Sequence, residues 1–265
     1  MLVWSKTGRA VVWGGGALVM LIFYGAPLIV IAMASFANQW NGVLPTGVTL
    51  KHYASALSGD SAGQLEASLM TGALASLFAV AVGTWAALAL RAWNGMPRLV
   101  LDLLFFMPSA VPSVSVGLGL LVAFSQPPVL LNGTTLIVIV AHFILVSAFS
   151  YGNISAGLRR LRPDYEQVAA SLGARPGYRL LHVTLPLVLP YIVGAFSLSF
   201  ALSMGELGAT SMVYPPGWVT VPVGIFALTD RGAIFDAAAL TMLLALATLI
   251  VLLVLGRVSN RAAAR

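Results

Sequence analysis

Few residues of this chain could do chemistry inside an apolar medium, and they fall in short groups. Glu206, in Ser203-Met-Gly-Glu-Leu-Gly-Ala-Thr210, is the one carboxylate well inside an apolar run. An ionisable group in such a place is costly and by default faces a bundle interior or a wet cavity. Two readings stand for it: a side chain lining a path, or a structural hydrogen bond to a neighbouring helix. Gly205 and Gly208 beside it leave room for another backbone. Pro108, Ser109, Pro112, Ser113 and Ser115 interrupt a second apolar run near its middle. Proline frees backbone carbonyls, which are tolerated at membrane depth only when buried in protein or facing water. The expectation is a kinked helix at a translocation path or gate, or a plain kink satisfied by the serines. His142, inside a further apolar run, is expected to be a hydrogen-bonded packing residue. His52 and His182 are expected in loops, and Asp102 and Asp236 to be solvated near the ends of apolar runs.

Several chemistries are missing from the sequence. There is no Gly-x-x-x-x-Gly-Lys-Ser/Thr, and only two lysines are present, so no phosphate-cradling loop is expected. There is no His-Glu-x-x-His and no Gly-x-Ser-x-Gly. No His and carboxylate cluster has metal-ligand spacing. The expectation is a chain with no catalytic residues, no metal and no cofactor of its own.

The elements that hold these residues are apolar throughout. Apolar residues make up 59% of the 265 and charged residues 8%, against about 25% charged in soluble domains. The class this implies is an all-α integral membrane protein. A span needs about 20 apolar residues, and six candidates are present, near 11–36, 68–90, 99–124, 135–155, 183–212 and 237–255. They form one transmembrane domain over 1–265. The first run is too long for a signal-peptide core and reads as a retained span.

The net charge of +6 does not point to nucleic acid, because the cations flank apolar spans as the positive-inside rule expects. Twelve Lys and Arg residues, among them Lys6, Arg9, Arg91, Arg98, Arg257, Arg261 and Arg265, fall on one side. Only Lys51 and Arg231 fall on the other. Both termini are therefore expected in the cytoplasm. Val48-Thr-Leu-Lys-His-Tyr53 is expected to open a short interfacial helix. Tyr214 to Phe226, broken by prolines and glycines, is expected as a re-entrant or interface-lying hairpin anchored by Tyr214 and Trp218. Cysteine is absent, so no disulfide or thiol chemistry is available.

The longest polar stretch, Ala156 to Pro190, carries Arg159, Arg160, Arg162, Arg175 and Arg179. Within it Pro163 stops one helix and suits the first turn of the next. Asp164 can cap that helix, Val168, Ala169 and Leu172 share a face, and Gly173 ends it. The loop 156–182 thus displays a short helix between two spans. Arginines there also serve simply as a topology signal.

The fixed spacing of Gly173, Val183 and Leu185-Pro186 resembles the loop of binding-protein-dependent ABC importer permeases, with its pattern Glu-Ala-Ala-x3-Gly-x9-Ile-x-Leu-Pro. The family's Glu falls on Gln167 and its two Ala on Val168 and Ala169, with Glu166 one place earlier. Runs such as Leu104-Phe-Phe-Met-Pro-Ser-Ala-Val-Pro and Tyr214-Pro-Pro-Gly-Trp-Val-Thr-Val-Pro look most like permeases for 2-aminoethylphosphonate. Relatives handle ferric iron, thiamine, sulfate or polyamines.

The resemblance implies a type I ABC importer permease fold of six transmembrane helices with a cytoplasmic coupling helix, in the bacterial inner membrane. It implies contact with an ATPase dimer through Glu166, Gln167, Ala169, Ala170, Leu172, Gly173, Leu185 and Pro186, with ATP and Mg on that partner. It further implies a second permease subunit, identical or related, and a periplasmic or lipid-anchored substrate-binding protein, all in membrane lipid. Glu206, Pro108, Pro112, Ser109 and Ser113 are the candidates for the path or gate. A lone ion-coupled transporter or a membrane scaffold are the rival classes. Scarce intramembrane acids and small size speak against the first. Broken helices and Glu206, which a scaffold would not need, speak against the second.

Overall fold

The computed structural model describes residues 5–263, with side chains over 5–257. Arg261 and Arg265, counted above for orientation, lie outside the described side chains. Helix α1 (Lys6–Met20) passes through a π turn (Leu21–Gly25) into α2 (Ala26–Phe36). A two-stranded antiparallel hairpin follows, β1 (Ala37–Gln39) against β2 (Thr46–Val48), with Ala37 opposite Val48 and Gln39 opposite Thr46. It is an addition to the all-α expectation. Then come α3 (Lys51–Ala56), α4 (Gly59–Leu90), α5 (Met96–Ala110), α6 (Ser113–Ala123) and α7 (Thr135–Arg160). The polar stretch holds α8 (Asp164–Ser171) and α9 (Pro176–Arg179), the latter continuing through a second π turn (Leu180–Thr184) into α10 (Leu185–Met204). Helices α11 (Gly208–Val213), α12 (Val221–Asp230) and α13 (Ile234–Ala263) complete the chain.

Five of these helical segments are long and apolar enough to cross a membrane. The sixth span is the pair α5 and α6, bent by 101° at their junction. The bend has a local cause. Pro108 lies inside α5 and removes one hydrogen bond of its ladder. Val111 is extended, as the residue before a proline prefers, and Pro112 is the N-cap of α6. The third span is therefore a broken helix rather than a kinked one.

Both π turns also have a proline cause. Ala26 donates its N–H to the carbonyl of Leu21, and Leu185 to that of Leu180, one residue further back than in an α-helix. In each case the next residue is a proline, Pro27 or Pro186. A proline ring clashes with the carbonyl four residues before it and offers no N–H. Opening the ladder by one residue just ahead of the ring lets the span continue.

The chain packs as two compact units, 5–62 with Gly224–Leu243 and 63–223 with 244–263. In the first, α1 buries none of its side chains. Buried His52 of α3 sets Nδ1 2.7 Å from Asp236 Oδ1 and Nε2 3.1 Å from the carbonyl of Ala37. The expectations of a loop His52 and a solvated Asp236 are both corrected: the two side chains clasp segments far apart in sequence. Helix α3 itself forms where a short helix was expected.

In the second unit α7 is the hub. Its residues Tyr151, Ile154 and Leu158 pack with Val80, Ala87 and Leu90 of α4 and with Val188 and Ala195 of α10. Its residues Ile137, Val138 and Ala141 pack with Leu120 of α6 and with Ala209 and Val213 of α11. Glycine permits several of these approaches. A Cβ on Gly117 would lie 2.6 Å from the carbonyl oxygen of Ala209, and one on Gly157 would enter the ring of Tyr191. Asp102 is not simply solvated either: it accepts from the hydroxyl of Tyr151 and lies 3.7 Å from Arg98 Nε, one helical turn away.

Candidate functional site

Helix α8 begins at Pro163, whose fixed φ suits a helix start. Asp164 does not cap it, contrary to expectation. It occupies the first turn, where a negative charge favours the helix dipole, and its carboxylate takes a 2.6 Å bond from Arg162. The helix ends as the sequence suggests. Gly173 adopts φ +84 and donates to the carbonyl of Ala170, and Ala174 donates to that of Ala169, which together form a Schellman ending. On its outer surface the helix leaves Val168 58% and Leu172 82% exposed. Ala169, Leu172, Gly173, Ala174, Arg175 and Tyr178 line a shallow hollow of about 450 Å³. An apolar, small-residue surface rimmed by arginine is thus presented at one end of the second unit. Gln167 and Ala170 are exposed on the same helix, while Leu185 and Pro186 lie in the first turn of α10 rather than on α8.

Glu166 behaves differently from its neighbours. Arg91, just past the end of α4, donates from Nη1 to Oε1 at 2.6 Å and from Nη2 to Oε2 at 2.8 Å. Thr184 Oγ1, at the end of the second π turn, donates to the same Oε1 at 2.6 Å. The Arg91 guanidinium holds the Glu166 carboxyl below the ordinary carboxylate range, against a partial burial that works the other way. Sequence reasoning placed Arg91 only as a topology charge and Thr184 nowhere. Their pairing with Glu166 joins residues 75 and 18 positions apart.

The other candidates meet around the broken span. Pro108, Ser109, Ser113 and Glu206 line a cavity of about 200 Å³, together with His142, Ser203 and apolar side chains of α7 and α10. Pro112 is not among the lining residues; its part is the break itself. Glu206 does not lie within a continuous fifth span. Helix α10 stops at Met204, and Glu206 sits in the short break before α11, where its Oε1 accepts the N–H of Ala209 at 2.7 Å. Its hydrogen bond is thus to the start of the next helix of its own segment. Ser109 donates to the carbonyl of Phe106 at 2.7 Å. His142 is the bonded packing residue expected, with Ser203 Oγ 2.6 Å from Nδ1 and Thr210 Oγ1 2.7 Å from Nε2. Trp218, expected as an interfacial anchor, turns inward and donates from Nε1 to Thr71 Oγ1 at 2.9 Å.

A broken membrane span and a clasped short helix displayed between two further spans are the architecture of a membrane permease. Residues 79–265 match the family described as binding-protein-dependent transport system inner membrane component. The chain belongs to that family: it is a multi-pass inner-membrane permease subunit of an ABC importer, and not itself an enzyme. PhnV of Salmonella typhimurium (strain LT2), named for a 2-aminoethylphosphonate transport system permease, is 54% identical over 261 residues, 98% of each chain. ModB of Mycobacterium tuberculosis (strain ATCC 25618 / H37Rv), a molybdenum transport system permease, is 32% identical over 206 residues, 73% of each. A bacterial ABC transporter involved in the import of the acidic polysaccharide alginate shares the fold, with a TM-score of 0.73 at 18% identity over 96% of this chain and 95% of that one.

Proposed function

We propose that this chain is the pore-forming subunit of an ATP-driven importer for 2-aminoethylphosphonate. The observation that carries the substrate is the 54% identity to PhnV across nearly the whole of both chains. In this reading two permease subunits enclose the pore. A binding protein delivers the solute, and α8 sits in a cleft of an ATPase subunit that holds ATP and Mg. The exposed Val168 and Leu172 and the hollow beside Gly173 supply the apolar seat. The surrounding arginines steer approach more than they hold, since exposed ion pairs contribute only about 0–1 kcal/mol each. The excess of Lys and Arg beside α8 supports a cytoplasmic position for it and for both termini. The broken span and the Glu206 cavity are assigned to the translocation path, because irregular backbone at membrane depth belongs where protein or water covers it.

The test is reconstitution of the permease with its ATPase in vesicles, with candidate binding proteins added one at a time. ATP hydrolysis and uptake should rise with binding protein plus 2-aminoethylphosphonate. A response to another ligand alone, such as molybdate, would keep the class and overturn the substrate. Failure of any ATPase to co-purify in mild detergent would overturn the coupling reading.

A further inference from the structure

We infer that Glu166, Arg91 and Thr184 form an internal strut that turns movement of α8 into movement of the spans, and that Glu166 is a positioning residue rather than an ATPase contact. The inference rests on the reading of α8 as the coupling helix. Three observations carry it.

First, the carboxylate is already used. Oε1 takes two donors and Oε2 one, all within 2.6–2.8 Å and all from this chain. Little of its acceptor capacity remains for a donor on another protein. Second, Glu166 lies off the displayed face. At 100° per residue, Tyr165, Val168 and Leu172 share one side of α8, and Glu166 lies about a third of a turn around from its centre. Tyr165 is 51% and Leu172 82% exposed, whereas the Glu166 side chain is 27% exposed. Third, the partners stand at the ends of two different membrane helices. Arg91 follows the last residue of α4, and Thr184 directly precedes α10. One side chain therefore ties the short helix to two spans at once.

The chemistry suits a strut. A bidentate Arg–carboxylate pair fixes orientation as well as distance, which a single contact does not. Without it, α8 would be held by its connections at either end, by the Thr184 bond and by packing on the second π turn, all on the α10 side, with no tie to α4. With it, α8, the end of α4 and the start of α10 move as one body, and rigid packed elements carry coupling between distant sites. Gln167, the residue at the resembled family's acidic position, is left exposed and available to a partner.

The experiment uses the full complex of permease, ATPase and binding protein in vesicles, and reads solute imported per ATP hydrolysed together with ATPase co-purification. Arg91→Ala and Glu166→Gln should each lower import per ATP at least about fivefold, within the usual range of coupling effects, while the ATPase still co-purifies. The double variant should be no worse than either single one. The exchange Arg91→Glu with Glu166→Arg should recover part of the loss, a rescue that an ATPase contact at Glu166 does not predict. Arg91→Ala with normal coupling would overturn the strut, as would loss of co-purification in Glu166→Gln alone. If the unaltered complex shows no ATP-coupled import, it is the coupling reading that fails instead.

Discussion

Replacement of Gly173 separates backbone strain from steric fit at the coupling helix. The residue has φ +84 and closes the Schellman ending of α8. A Cβ there would meet nothing within 4 Å, so in the permease itself alanine brings strain without a clash. Holding a non-glycine residue in the left-handed region costs about 1–2 kcal/mol, with asparagine tolerated best and β-branched residues worst. If the seated form needs this ending, the free chain relieves the strain by fraying, and docking must restore it. Affinity for the ATPase then falls by about 5–30-fold for Gly173→Ala. Gly173→Asn should fall less and Gly173→Val more. The assay is a titration of purified ATPase onto permease in lipid discs, with import per ATP measured on the same samples. Equal affinity for glycine and alanine, or valine no worse than asparagine, would refute the claim that α8 docks with this ending intact.

Three further outcomes are expected. Gly117→Ala should destabilise the detergent-solubilised protein by about 1–3 kcal/mol, the usual cost of overpacking, because its Cβ would press on the backbone of Ala209. Gly119→Ala, two residues along with open space around it, should be neutral or stabilising in the same thermal melt. Glu206→Gln keeps an acceptor for Ala209 and should hold the melting temperature, whereas Glu206→Leu removes it and should cost about 1–3 kcal/mol. If Glu206→Gln nevertheless slows import, the charge acts on the path and not only on the helix start. The Glu166 carboxyl is depressed below its ordinary value of 4.5, chiefly by Arg91. Its stabilising effect is therefore fully present above that ordinary value and lost as pH falls through the lower folded one. Protection of α8 against hydrogen exchange should hold down to about pH 5, and should fail at higher pH in Arg91→Ala than in the unaltered protein. Coincident acid transitions in the two would contradict the pairing.

What could be read from sequence, and what could not, divides by distance along the chain. The ends of α8 were legible, because Pro163 and Gly173 act through their own dihedral angles. The six spans were legible, because hydropathy sums over neighbours. The break at Glu206 was only half legible: Gly205, Glu206 and Gly208 marked the place, but apolar residues on both sides let the run read as one span. The broken third span was half legible: the prolines announced a bend, but the 101° angle depends on Val111 turning fully extended. The clasps were illegible, because Arg91 with Glu166 joins positions 75 apart and His52 with Asp236 positions 184 apart.

These clasps share one cause. Where apolar side chains face lipid and apolar helices gain little from meeting each other, polar contacts specify which segments meet. Of the eight acids in the chain, Asp102, Glu166 and Asp236 each hold a partner on another segment, and Asp164 and Glu206 each hold one close by in sequence. With charged residues at only 8%, an acid in such a chain is better read first as one half of a contact between segments. A role toward solute or ATPase is then assigned only to those whose oxygens remain free. By that order Glu166 belongs to the frame of the permease, whereas Glu206 commits only Oε1, to Ala209, and lines the cavity wall, which makes it the acid to test on the path.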